Sequence, residues 1–394
     1  MLKENLKNEN LLKIVLIFSG MAIISDVIIY PAADAIYTVF SQENPVLVNY
    51  IITGSSLMVI LGSILCGLLT RYIGKKTILL VSYIVFILSG VAAPWSQNLI
   101  YMIIMRTITG LTMGFVSISS AGLIAELFVN EEKRSWMMGA YTGGMSLAGA
   151  IMSYVSGILA VKNWHLIFYV YLIAVPVLIM SLIVVPKTQP EGKATEEHID
   201  LPSQMYWKSS LSLADAAFVF NALYAVILTL ISVYLTELQI GDAATAGTMG
   251  MLGTLGSMVA SFAFSALYMK TKRATPVFFS IVLGIGFLIL AYFHNIYAIG
   301  FAVTIMGGMY GIAYSYYLMY ASIIVPPSKA SFSISLANAA VYAGIFSAPY
   351  VNSLVQKVFK YNTIAEGMPV LAVICGCYAV LSICILLFKK RIAL

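Results

Sequence analysis

Twelve stretches of mostly apolar residues follow one another along the chain, at roughly 13–38, 46–70, 76–95, 99–127, 134–161, 164–185, 209–237, 243–269, 275–293, 296–325, 329–358 and 365–388. Each is close to or longer than the roughly 20 residues a helix needs to cross a bilayer. Composition closes off a soluble alternative. Of 394 residues, 61% are hydrophobic and 10% charged, against about 25% charged in an ordinary soluble domain. A chain of this size has no core large enough to hide that much apolar surface from water. A soluble enzyme, a nucleic-acid binder and a disulfide-stapled secreted domain are therefore excluded. The prediction is an all-α polytopic membrane protein with twelve transmembrane helices.

One long polar segment, residues 186–208, divides the spans six and six. The expected units are an N-terminal six-helix bundle over 1–185, a linker over 186–208 and a C-terminal six-helix bundle over 209–394. The net charge of +6 matters less than where the basic residues fall. Lys3, Lys7, Arg71, Lys75, Lys76, Arg134, Lys187, Lys208, Lys270, Arg273 and Lys390 belong to the side that holds the termini and the linker. Only Lys162, Lys357 and Lys360 belong to the other, so both termini are predicted to be cytoplasmic in a cell membrane of bacterial type. The polar N-terminus and long first span do not read as a cleavable signal peptide. Cys66, Cys375, Cys377 and Cys384 all lie in apolar stretches and read as small buried hydrophobes.

A single shift of 197 positions places Lys75-Lys76 on Lys272-Arg273 and Gly110-x-x-x-Gly114 on Gly307-x-x-x-Gly311. Two halves in parallel orientation imply a pseudo-twofold axis along the membrane normal. Glycines four apart let helix backbones come close.

Between spans 2 and 3 the chain reads Gly67-Leu-Leu-Thr-Arg71-Tyr-Ile-Gly74-Lys75-Lys76. This resembles the loop motif G-x-L-a-D-R-x-G-R-K of the major facilitator superfamily, with Arg71 standing where that family has an acid. Arg106-Thr-Ile-Thr-Gly110 in span 4, followed by Glu126, is similar to the family's R-x-x-x-G pattern and acidic exit. Asp26-Val-Ile-Ile-Tyr30-Pro31 resembles the D-x-x-x-x-P pattern of the drug:proton antiporter branch. Span 5 keeps Gly139, Gly143, Gly144, Gly149 and Gly157 but lacks the branch's G-P-x-x-G ending. The resemblance implies two bundles around a central cavity, rocking between inward and outward access. It also implies a gate on the cytoplasmic side that includes Gly67, Arg71, Gly74, Lys75, Glu126 and Arg134. For Glu126, pairing with Arg71, Lys75 or Arg134 is expected.

Charges inside apolar spans are expensive and face cavities or partners. Asp26 lies near the middle of span 1, sharing a helical face with Tyr30, while Asp34 is eight residues on and about 12 Å further out. Arg106 lies some two turns below the outer end of span 4, on a face that continues through Gly110, Met113, Ser117 and Ser120. Asp26, Asp34 and Arg106 are the expected proton-coupling set. Burial raises a carboxylate pKa and a nearby arginine lowers it, so separating them moves a proton. The alternative for Arg106 is a side chain snorkelling to the outer interface. Asp215 in span 7 reads equally as functional or structural.

Tyr310, Tyr314 and Tyr317 recur at helical spacing through mid-span 10, away from the membrane-surface belts where tyrosines otherwise gather. With Tyr30, Met113, Ser117, Asn221, Tyr224 and Asn338 they form the expected substrate-binding wall, suited to an amphipathic or aromatic ligand. No nucleotide, metal or nucleophile motif appears, so no cofactor is expected and energy must come from a gradient. The expected partners are a small-molecule substrate, protons and the lipid bilayer, with no nucleic acid, and a monomer. The function these readings favour is proton-coupled export of a small amphipathic or cationic compound. Proton symport or facilitated import of an organic acid or sugar stands as the alternative.

Overall fold

The computed structural model describes residues 9–29, 36, 39–191, 203–241 and 243–392. Among them the chain is helical and contains no strand, in the predicted class. The helices are α1 Glu9–Phe18, α2 Pro45–Leu69, α3 Lys75–Ala92, α4 Leu99–Leu127, α5 Glu131–Lys162 and α6 Ala174–Val184. They continue as α7 Ser203–Glu237, α8 Ala243–Thr271, α9 Thr275–Tyr292, α10 Ile296–Ile323, α11 Ala330–Phe359 and α12 Ile364–Ile392. The helix starts have local causes. Asn98, Asn130 and Asn295 each stand just before a helix, and each side chain accepts a first-turn backbone N–H, in α4, α5 and α10. That is the chemistry of an asparagine N-cap.

Span 1 departs from the continuous helix expected over 13–38. The α-helix ends at Phe18, Ser19 and Gly20 turn, and the chain resumes as a 3-10 helix over Met21–Ile28. The carbonyl this break frees at Ser19 is satisfied by two hydroxyls, Tyr83 Oη at 2.5 Å and Ser120 Oγ at 3.3 Å. Irregular backbone at membrane depth is tolerated where protein groups take over its hydrogen bonds. Gly20 is required there, since a Cβ would lie 2.5 Å from the Tyr141 ring. Span 6 likewise opens as a 3-10 helix, Trp164–Ile173, before α6.

The helices form two six-helix bundles, and the packing of the first recurs in the second. α2 lies along α4 as α8 lies along α10, and α3 packs on α4 as α9 packs on α10. The glycine pairs seen in sequence make the close approach. A Cβ on Gly110 would come within 2.3 Å of Ser55 O in α2, and one on Gly307 within 2.1 Å of Gly253 O in α8. Gly114 meets Val59 O and Gly311 meets Ser257 O in the same way. Gly307→Val is therefore expected to destabilise the protein by about 1–3 kcal/mol through overpacking. Thermal unfolding in detergent checks this, with Gly376→Ala as a control at a helix position that has open space around it.

Between the bundles, α2 runs along α11 and α5 along α8, contacts that a twofold axis would exchange. Gly139 makes the second of these possible, because a Cβ there would lie 2.4 Å from Ser261 O. Two cysteines differ from the expectation. Cys66 and Cys375 are buried, but Cys377 and Cys384 are exposed on α12. A thiol is apolar enough to face hydrocarbon, so an apolar stretch does not tell the core side of a helix from its lipid side.

Candidate functional site

A strip of polar side chains runs between the bundles, with Asn338 in the first third of α11 and Ser63 in the last third of α2. Asn338 of α11 is fully buried. Its Nδ2 donates to Ser63 Oγ of α2 at 2.8 Å, and its Oδ1 accepts from Tyr314 Oη of α10 at 2.9 Å. One amide thus ties the two bundles together. Beside Tyr314, Ser117 of α4 and Tyr141 of α5 are buried with hydroxyls that have no hydrogen-bond partner. Buried polar atoms left unpaired are costly and uncommon, and these two aim at the surface where the bundles meet. Ser146 of α5 and Ser257 of α8 touch across the same surface at 3.3 Å. Met113 is buried on the same helix as Ser117.

Tyr310 stacks on Tyr314 with centroids 6.0 Å apart and on Tyr224 of α7 at 4.9 Å, so three of the named tyrosines form one aromatic column. Tyr317 is not in it. Its ring packs on Phe220 and Phe279, and its hydroxyl donates to Ala216 O, inside the second bundle. Asn221 is buried and donates to Ala217 O of its own helix, leaving Oδ1 unpaired.

Arg106 is 1% exposed and does not snorkel to an interface. Its Nε donates to Ile51 O at 2.8 Å, Nη1 to Tyr171 Oη at 2.8 Å and Nη2 to Ser55 Oγ at 2.6 Å. The guanidinium joins α4 to α2 and to span 6. Asp34 and Tyr30 lie outside the described residues, as does the side chain of Asp26, so the expected acid–arginine set is described here only at Arg106. Asp215 is exposed on α7.

One face of the molecule carries the segments that join α2 to α3, α4 to α5, α6 to the linker, α8 to α9 and α10 to α11. On this linker face the bundles are bonded together. Arg134 donates to Ser322 O and Oγ at 3.4 and 3.3 Å. Ser135 and Ser265 hydroxyls meet at 2.8 Å, and Glu131 takes both Tyr268 Oη and Lys272 Nζ at 2.9 Å. Lys75 pairs with Glu126 at 2.6 Å and with Glu191 at 3.0 Å. Of the three bases named for Glu126, Lys75 is the one that pairs with it. Gly67 lets α2 approach α11, since a Cβ would strike Ser335 Oγ at 2.3 Å. Arg71 is exposed and borders a cavity of about 330 Å³ on this face, alongside Glu191, Trp207 and Phe332.

Sequence reasoning missed Ser63, Tyr141, Tyr171 and Glu191. The first three are hydroxyls in apolar spans, a type too common to single out. Glu191 sat in a segment read only as a polar linker.

The comparisons agree with this architecture. Residues 15–349 match the Major Facilitator Superfamily model. The crystal structure of the human organic anion transporter MFSD10 (TETRAN) superposes with a TM-score of 0.73 at 14% identity, covering 95% of this chain and 99% of that one. At that identity the likeness is one of fold. The chromaffin granule amine transporter of Rattus norvegicus is 26% identical over 108 residues, 27% of this chain and 21% of that protein. The methylenomycin A resistance protein of Bacillus subtilis (strain 168) is 30% identical over 136 residues, 34% of this chain and 28% of that protein. The chain thus spans between a fifth and a third of the length of these two relatives. Family and fold are those of membrane transporters rather than enzymes. With a match that runs through most of its twelve helices and a two-bundle fold to go with it, this multi-pass membrane protein belongs to the major facilitator superfamily.

Proposed function

We propose that the chain is a secondary active transporter that exports a small amphipathic or cationic organic compound in exchange for protons, in the manner of the drug:proton antiporter branch. The observation that carries this reading is the Asn338 bridge from Tyr314 to Ser63, flanked by the unpaired hydroxyls of Ser117 and Tyr141. It places a polar, aromatic-walled surface between two bodies that must part for alternating access. A ligand that inserts there replaces hydrogen bonds rather than breaking a dry core. Substrate contacts are assigned to Tyr30, Met113, Ser117, Asn221, Tyr224, Tyr310, Tyr314 and Asn338, with Tyr317 supporting the wall from behind. Asp26 and Asp34 are the proton sites, and Arg106 tunes them.

Two relatives, an amine transporter and a methylenomycin A resistance protein, favour a cationic or drug-like substrate. The division into 1–185, 186–208 and 209–394, a cytoplasmic linker face and a monomer in the cell membrane belong to the same proposal. The second reading is symport or facilitated import of an organic acid or sugar. Two observations favour it, the buried guanidinium of Arg106, which suits an anion, and the absence of the G-P-x-x-G ending in span 5.

A thermal-stabilisation screen of the purified protein identifies the substrate, because a ligand bound to the folded state raises apparent stability. In proteoliposomes an imposed proton gradient is then expected to drive that compound against the direction of proton flow. Movement with the protons would establish symport instead. Asp26→Asn is expected to keep substrate exchange and lose gradient-driven accumulation at least tenfold. Unchanged accumulation in that variant would remove Asp26 from coupling.

A further inference from the structure

We propose that Glu191 is the latch of the linker face, an acid delivered by the linker to the place where the α2–α3 loop itself carries Arg71. The inference rests on the two bundles moving against each other, and goes beyond it in assigning one contact that holds them closed on this face, beside those of Arg134, Ser135 and Glu131.

Glu191 is 6% exposed, although it lies in the polar stretch after α6. Its carboxylate reaches three elements at once. Oε1 is 3.0 Å from Lys75 Nζ at the start of α3 and accepts from Ser331 Oγ of α11 at 2.7 Å. Oε2 accepts from Thr70 Oγ1 of the α2–α3 loop at 3.2 Å, and the Glu191 backbone N–H donates to Thr70 O at 2.9 Å. A buried carboxylate is tolerable only when paired and hydrogen-bonded in this way. Lys75, Thr70 and the segment before Glu191 belong with the first bundle, and Ser331 belongs to the second. Through Ser331 the acid sits against the first turn of α11, where the positive end of the helix dipole favours it.

The segment that delivers Glu191 is strapped down. Lys76 Nζ donates to Leu182 O at 2.9 Å and to Val185 O at 2.5 Å, and Lys76 N–H donates to Thr188 Oγ1 at 3.1 Å. The strap crosses directly over Gly74, where a Cβ would lie 2.2 Å from Thr188 O. Gly74 and Lys76, two residues of the loop motif, thus act here by seating the strap. Cavities of about 330 and 410 Å³ open on either side of Glu191, and it lines both. Between them, the carboxylate is a post joining the bundles.

The bonds of the post are unequal in what opening does to them. When α11 leaves α2, the Ser331 bond breaks. The bonds to Lys75, Thr70 and the strap lie within the first bundle and travel together, and Lys75 keeps Glu126 as well. Opening therefore strips one hydrogen bond from a charged acceptor without stranding a bare ion. A bond of that class is enough to shift a two-state equilibrium by about tenfold or more.

The test uses the full-length protein in nanodiscs, with Cys377 and Cys384 replaced by alanine. Spin labels are placed at Tyr72→Cys and Arg273→Cys, exposed positions in the α2–α3 and α8–α9 segments. Double electron–electron resonance reads their separation. The expected result is a short distance in the parent protein and a long-distance population raised about tenfold in Ser331→Ala, with a similar rise in Glu191→Ala. The double variant should add nothing further, because both changes remove the same bond. Ser331→Ala deletes one hydroxyl, so it serves even if Glu191→Ala folds poorly. Distance distributions in Ser331→Ala that match the parent would overturn the latch. Labels that hold one distance in the parent and in both variants, at acid as at neutral pH, would instead count against relative movement of the bundles, and with it the latch.

Discussion

Replacing Arg106 with alanine is expected to abolish transport and to lower stability by about 2–4 kcal/mol. The size follows from what the guanidinium does. It is buried to 1% exposure and donates to Ile51 O, Tyr171 Oη and Ser55 Oγ, each within 2.8 Å. Removing a donor from such a site leaves acceptors without partners at roughly 1–3 kcal/mol each, partly relieved by relaxation. Those three bonds also fix α4, the helix that carries Met113 and Ser117, against α2 and span 6. Arg106→Lys separates charge from geometry. An ammonium is a compact point charge that lacks the flat fork needed to meet three acceptors in different directions. It should recover part of the stability and less than a tenth of the transport rate. Initial rates in proteoliposomes, with melting temperatures in detergent, check both. A lysine variant with the parent rate would mean that only the charge of Arg106 matters.

Span positions were readable because bilayer thickness imposes a length and an apolar composition that few other structures share. The repeat was readable for a related reason. Gly110, Gly114, Gly307 and Gly311 face backbone carbonyls at distances only glycine permits, so the same helix crossing demands the same residues in both halves. The break at Ser19-Gly20 was not readable. Inside an apolar stretch these residues are compatible with helix, and what stabilises the break is a pair of donors, Tyr83 and Ser120, on two other spans.

The site was legible by face and illegible by partner. Helical spacing put Tyr310 and Tyr314 together, and the structure adds Tyr224 to them in a stack. The same spacing grouped Tyr317 with them. Tyr317, seven residues on from Tyr310, keeps within about 20° of its direction, so angle does not part them; what draws Tyr317 into the second bundle is its neighbours on other helices, Phe220, Phe279 and the Ala216 carbonyl. No periodicity within one helix could reveal that Asn338 bonds to Ser63, 275 positions away. Glu191 was hidden for the same reason. Its burial depends on Thr70, Lys75 and Ser331, and none of these is near it in sequence.

If transport requires the bundles to part on the linker face, then fastening that face must stop it. Ser135 of α5 and Ser265 of α8 are suited to the purpose, because their hydroxyls are 2.8 Å apart and Gly139 holds the two helices close. Side chains in contact at both positions bring cysteines there within reach of the spacing a disulfide needs, about 3.5–4.5 Å between Cβ atoms. The measurement is substrate flux through Ser135→Cys/Ser265→Cys in proteoliposomes, before oxidation, after it, and after reduction, with the cross-linked fraction read on a gel. The account requires flux to fall to the level of protein-free vesicles as the cross-link forms and to return when it is reduced. Full flux through quantitatively cross-linked protein would contradict it.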